Sequence, residues 1–147
     1  MKKIMYQIYD NILTKEEQEL QERAYTILNN LELIQFADQS CEGLPFGTMK
    51  RIELARALIN EPKLLLLDEP ATGLNHSEVN ELSHLIKTIR DEYELTILNV
   101  EHHMGMVMGI SDRVVVLDFG SKIAEGAPHE IQQNTAVINA YLGASHD

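Results

Sequence analysis

Leu64 to Leu67 form a run of leucines that leads directly into Asp68, Glu69 and Pro70. A short continuous apolar run ended by such breakers predicts a strand buried on both faces. Acidic groups at the carboxyl end of a buried parallel strand sit at the crevice where α/β proteins bind ligands. There one carboxylate, Asp68, can hold Mg²⁺ largely through water, and its neighbour Glu69 can orient and deprotonate an attacking water. The bland reading of the same dipeptide is a buried strand running into a polar turn, so the surrounding residues must decide.

Upstream, Leu44, Pro45, Phe46, Gly47 and Thr48 lead into Met49, Lys50 and Arg51. A glycine-bearing loop at a helix start offers free backbone N–H groups and the positive end of the macrodipole, which suits a phosphate. Downstream, Thr72, Gly73, Leu74 and Asn75 form a turn-like string, and Glu101, His102 and His103 follow a second apolar run. His102 alone reads as a histidine satisfied at a strand end, but its place beyond the Asp-Glu strand favours a functional role. His103 reads as plain surface. Adjacent strand residues face opposite ways, so the His pair is poor metal-site spacing.

The elements that must hold these residues alternate in type. Thr14 with Glu17 has the form of a capping box and opens a helix to Asn29 or Asn30, with Leu20, Ala24, Ile27, Leu28 and Leu31 on one stripe. Its acidic residues, Glu16 to Glu22, read as a solvated face. A loop spans Asp38 to Gly47, and a second helix is expected from about Thr48 to Asn60 with Ile52, Ala55, Leu58 and Ile59 buried. Asn75 with Glu78 starts a third helix whose stripe is Val79, Leu82, Leu85, Ile86 and Ile89. Thr96 to Val100 is a strand, His103 to Ile110 a short Met-rich helix, and Arg113 to Leu117 a third strand. Strand, helix, strand, helix, strand predicts parallel βαβ units. Phe119, Gly120 and Ser121 turn the chain into an antiparallel hairpin over Lys122–Glu125, and Pro128 to Leu142 forms one or two short helices. Met104, Met106 and Met108 read as core filler, Gly105 and Gly109 as sites of close helix packing, and Cys41 as inert.

In this order the motifs resemble those of ATP-binding-cassette (ABC) ATPases. Leu44 to Lys50 stands where the family has its Leu-Ser-Gly-Gly-Gln signature, Leu64 to Glu69 is similar to the Walker B strand, Thr72 to Asn75 to the D-loop, and His102 to the switch histidine. The resemblance covers roughly residues 14–143 and looks closest to ATPase subunits of bacterial branched-chain amino-acid importers. The strings Leu-Pro-Phe-Gly, Asp-Glu-Pro-Ala-Thr-Gly-Leu-Asn, Val-Met-Gly-Ile-Ser-Asp-Arg and Ala-Tyr-Leu-Gly carry that finer likeness.

The resemblance implies ATP and Mg²⁺ as cofactors, with Asp68 toward the metal, Glu69 as general base, and His102 linking the γ-phosphate to Glu69. Leu44, Pro45, Phe46, Gly47 and Thr48 would complete a nucleotide site in a second ABC ATPase subunit, head to tail, with Asn75 at that interface. Transmembrane permease subunits would be the other partners, placing the chain in the cytoplasm on the inner face of the cell membrane. Pro45 and Phe46 replace Ser and Gly of the general signature and Thr48 replaces Gln, variation that the importer sub-family tolerates. His103 stands where an acidic residue is usual.

One family motif is absent. None of the 8 glycines is followed by Lys, so the sequence has no Gly-x-x-x-x-Gly-Lys-Ser/Thr loop to cradle phosphate. The expected fold is therefore a truncated P-loop-type α/β domain, the C-terminal portion of an ABC ATPase that hydrolyses no ATP on its own. Within one partial domain over 1–147, residues 1–60 would hold part of the helical subdomain and the signature helix, 61–126 the α/β core, and 127–147 a helical tail.

Composition narrows the alternatives. The 147 residues, 44% hydrophobic and 24% charged, have the balance of one globular domain. A net charge of −11 without a basic patch disfavours nucleic acid and direct lipid attachment. No apolar run approaches the roughly 20 residues that span a bilayer, and polar residues interrupt any signal-peptide core near Met1. The single cysteine excludes an internal disulfide. A non-catalytic fragment that lends its signature face in trans is the main alternative. The signature half of an SMC-type DNA-repair ATPase is remote, because no long heptad region precedes the signature.

Overall fold

The computed structural model describes residues 14–142. The opening segment 1–13, read above as no signal peptide, and Gly143 of the terminal string lie outside them. The described residues fall into two compact units, one up to Leu65 and one from Leu66 onward.

The first unit is helical. α1 (Lys15–Asn30) begins with the expected reciprocal cap: Thr14 Oγ1 accepts from the Glu17 N–H at 3.3 Å, and Glu17 accepts from the Thr14 N–H at 2.7 Å. A single 3₁₀ turn covers Ile34–Phe36. α2 runs Phe46–Leu58, starting two residues earlier than the sequence suggests, because Pro45 itself is the N-cap. Ile27, Leu31, Leu33, Leu54, Ala55 and Leu58 form the buried side. Leu20 is exposed, and Ile52 and Ile59 are only half-buried, so the stripes are narrower than periodicity alone implies. Arg23 ties the two helices by donating to the Ile59 carbonyl at 3.4 Å and pairing with Glu61 at 3.2 Å.

In the second unit, β1 (Leu64–Asp68, straddling the unit boundary) is hydrogen-bonded to β2 (Thr96–Val100). The Glu69 N–H donates to the Val100 carbonyl at 2.8 Å, which sets the carboxyl ends of the two strands side by side, so they run parallel. α3 (His76–Glu92) makes the crossover, burying Val79, Leu82, Ile86 and Ile89 of the expected stripe. α4 (Met104–Ile110) then leads to β3 (Val114–Asp118).

Two expectations about the strands need correction. β1 is buried on one face only: Leu65 and Leu67 are inside, whereas Leu64 and Leu66 face outward and are more than half exposed. β3 does not join the parallel pair. It pairs antiparallel with β4 (Ser121–Gly126), Val114 opposite Gly126 and Asp118 opposite Ser121, with an irregularity between Val116 and Leu117. Phe119 and Gly120 both adopt positive φ, 44° and 80°, as a tight two-residue hairpin turn requires.

α5 (Pro128–Gln132) and α6 (Thr135–Val137), which continues into a π turn at Ile138–Leu142, cover this hairpin. Their Ile131 and Val137 join Val114, Val116 and Ala124 in one core, with Met104, Val107 and Met108 against it. The methionines thus fill core gaps as expected. Gly105 and Gly109 do not mediate close packing: both are exposed, and a Cβ on Gly109 would meet nothing within 4 Å.

At the hairpin's edge, Glu125 lies between Lys122, at 2.8 Å, and Arg113. The hydrogen bond from Lys122, and then the Arg113 charge, hold its carboxyl below the ordinary 4.5. A lowered native value contributes stability above the unfolded value and loses it as pH falls through the native one. Carboxyl NMR titration is expected to find the Glu125 midpoint below 4.5 and to find it raised in Lys122→Ala. An unchanged midpoint in that variant would remove Lys122 as the cause.

Candidate functional site

The carboxyl ends of β1 and β2 bring the two principal sequence candidates together. Glu69 Oε1 lies 3.5 Å from His102 Nδ1, and Glu69 Oε2 accepts from the Thr72 hydroxyl at 3.1 Å. Glu69 is held in the left-handed region at φ 44°, uncommon for a residue with a side chain. The chain turns directly after it: the Thr72 N–H returns to the Glu69 carbonyl at 3.1 Å, with Pro70 fixing the second position. Leu74 closes a further turn on Ala71, for which Gly73 supplies φ 82°. Asp68 ends β1 and is exposed.

Glu101 was not singled out as a site residue, yet it organises the site. Its side chain is fully buried. It accepts the Ala71 N–H at 2.8 Å, the His102 N–H at 3.0 Å and the His103 N–H at 3.1 Å. One carboxylate therefore joins the turn after Glu69 to the backbone that carries His102. The available signal was an acidic residue at a strand's carboxyl end just before a helix start. His103 is corrected as well: it is half-buried and is the N-cap of α4, its Nδ1 accepting from the Met106 N–H at 3.3 Å.

Asn75 caps α3. Its Oδ1 accepts from the Glu78 N–H at 3.1 Å, and Glu78 accepts from the Asn75 N–H at 2.8 Å. Asn75→Ala is expected to cost about 1 kcal/mol of stability, read by urea unfolding, whereas Asn75→Ser costs a few tenths. Equal losses in the two variants would contradict capping as the role of this side chain.

Leu44 to Thr48 belong to the first unit. Pro45 needs no N–H as the N-cap of α2, and its carbonyl takes the Met49 N–H at 3.1 Å. The N–H groups of Phe46, Gly47 and Thr48 lie in the first turn of the helix, and the N-cap gives them no side-chain hydrogen bond. Lys50 Nζ lies 5.4 Å from the centre of the half-exposed Phe46 ring.

Among the described residues no group of three His, Cys, Asp or Glu side chains could hold a metal by itself. Mg²⁺ in a nucleotide site is ordinarily held by one or two carboxylates together with water and phosphate oxygens. No helix among the described residues is long and apolar enough to cross a membrane.

A parallel strand pair ending in Asp-Glu and His, joined by a capped crossover helix, has the arrangement that the resemblance to ATP-binding cassettes implies for the Walker B strand and the switch histidine. Family comparison agrees: residues 3–72 match the ABC transporter model, and residues 121–147 match the model for branched-chain amino acid ATP-binding cassette transporters. The chain is thus similar to the ABC transporter ATP-binding proteins.

Within that family its similarity is to the high-affinity branched-chain amino acid transport ATP-binding proteins. It is 43% identical over 129 residues to LivG of Escherichia coli and equally to BraF of Pseudomonas aeruginosa, covering 88% of this chain and 51% of each relative. Among solved structures it is similar to the ADP conformation of MJ1267, an ATP-binding cassette of an ABC transporter (TM-score 0.77, 29% identity, 85% of this chain and 50% of that one). CbiO1 of Clostridium perfringens, part of the ABC transporter complex cbiONQ, matches with TM-score 0.76 and 32% identity over 84% of this chain and 49% of its own. The chain thus spans about half the length of the relatives it matches.

Proposed function

We propose that the chain is the signature and Walker B portion of an ATPase subunit that energises branched-chain amino-acid import. The observation that carries this is the Glu69–His102 pair, 3.5 Å apart at the ends of adjacent strands, in a sequence that matches importer ATP-binding proteins over most of its length. In this reading Glu69 takes the proton of the attacking water, His102 positions Glu69 relative to the terminal phosphate, and Asp68 shares Mg²⁺ with the nucleotide. The α2 N-terminus, from Leu44 to Thr48, contacts the nucleotide held by a second ATPase subunit, and Asn75 lies near that partner. Transmembrane permease subunits anchor the assembly on the cytoplasmic face of the membrane.

Phosphoryl transfer depends on positioning and neutralising the phosphates. This sequence offers no lysine-bearing phosphate loop, so no hydrolytic step is assigned to the chain alone. The match of residues 121–147 to the branched-chain model favours an importer over a DNA-repair ATPase.

A hybrid tests the reading: E. coli LivG with its matching half exchanged for this chain. Expressed in cells lacking LivG, it should restore leucine uptake. A hybrid that hydrolyses ATP but restores no uptake would contradict the importer assignment.

A further inference from the structure

Glu69 is paired with His102 in the importer reading, yet the shorter side-chain contact on its carboxylate comes from Thr72. The Thr72 hydroxyl donates to Glu69 Oε2 at 3.1 Å, whereas His102 Nδ1 stands 3.5 Å from Oε1. Thr72 also grips the main chain of the same residue, its N–H donating to the Glu69 carbonyl at 3.1 Å. One threonine thus holds Glu69 by both backbone and side chain.

Thr72 lies at the surface, but its own backbone is anchored. The N–H of Ala71, just before it, is tied at 2.8 Å to the buried Glu101 carboxylate, and the Ala71 carbonyl accepts the Leu74 N–H at 3.1 Å. β-Branching leaves threonine few χ1 rotamers, so an anchored backbone aims the hydroxyl. Glu69 is the opposite case: a long, half-exposed side chain on a residue at φ 44°. Such a carboxylate samples several rotamers unless a neighbour holds it, and proton transfer depends on its alignment. At an exposed site this hydrogen bond replaces one to water, so it adds little to stability. Its effect falls on orientation.

We propose that Thr72 is a positioning residue for the general base: its hydroxyl occupies Oε2 and so presents Oε1, on the His102 side, to the attacking water. The inference rests on the reading of Glu69 as base, and adds which oxygen takes the proton and what aims it.

Two variants test this: Thr72→Val keeps the shape and loses the donor, and Thr72→Ser keeps the donor. In the purified chain, NMR scalar couplings read the Glu69 side-chain torsions. One rotamer set is expected in the unaltered chain and in Thr72→Ser, and averaging in Thr72→Val with an unchanged urea midpoint. In the LivG hybrid, Thr72→Val should lower kcat about tenfold at unchanged KM for Mg-ATP, a smaller loss than removing the carboxylate itself. Thr72→Ser should retain most of the turnover. Full kcat in Thr72→Val, in a hybrid that Glu69→Gln inactivates, would overturn the proposal and leave the importer reading standing. A single Glu69 rotamer set persisting in Thr72→Val would overturn it too, as would a lowered urea midpoint, which would make Thr72 merely structural. Turnover that survives Glu69→Gln would instead overturn the reading of Glu69 as base, and the proposal with it.

Discussion

In the LivG hybrid, Glu69→Gln is expected to lower the rate constant of ATP hydrolysis by at least about 100-fold with little change in nucleotide affinity. General-base catalysis contributes roughly 10²–10⁴-fold, and a carboxamide of the same shape cannot accept the water's proton. The structure supports the geometry of this expectation. Thr72 and His102 hold the two carboxylate oxygens of Glu69, and the turn through Pro70 fixes its backbone. His102→Ala should also slow turnover, because it removes the partner 3.5 Å from Glu69. Steady-state kinetics with Mg-ATP separate the two effects. A hybrid that retains full turnover as Glu69→Gln would place the general base elsewhere.

The second large effect falls on a residue that touches no reacting atom. Glu101→Ala should destabilise the chain by about 3 kcal/mol in urea unfolding, because it leaves the N–H of buried Ala71 without an acceptor and removes two further charge-assisted bonds. For a chain of this size that corresponds to a fall in Tm of roughly 10 °C. Glu101→Gln keeps one acceptor oxygen and should lose less. Glu101 is a positioning residue, since it joins the backbone on both sides of the Glu69–His102 pair. In the hybrid, Glu101→Gln should therefore lower kcat while leaving KM nearly unchanged. A purely structural role would predict loss of stability with normal turnover in the folded fraction.

Much of this was legible in the residues. The capping pairs Thr14–Glu17 and Asn75–Glu78 formed as their spacing implies, because they need only three intervening peptide units and no tertiary partner. The stripe on α3 was readable because one face of a 17-residue helix packs over its whole length. Glu69 and His102 were identified through motif order, and parallel pairing of their strands brings them together.

What escaped depends on contacts distant in sequence. The partner of β3 could not be read from its alternation, since a strand specifies its faces but not its neighbour. The one-sided burial of β1 has the same origin: four leucines imply two covered faces only if something covers them. The roles of Glu101 and His103 are not legible in the sequence because a buried carboxylate collecting backbone N–H groups, and a histidine capping a helix, have no periodic signature. Helix α2 began earlier than expected because proline and phenylalanine at a helix start resemble the end of a loop.

The central claim is that these residues act on ATP only when joined to a phosphate-cradling half. Its most direct test is Mg-dependent ATP hydrolysis measured side by side on the purified chain and on the LivG hybrid. The account predicts no turnover above background for the chain and Glu69-dependent turnover for the hybrid. Hydrolysis by the chain alone that disappears in Glu69→Gln would contradict it.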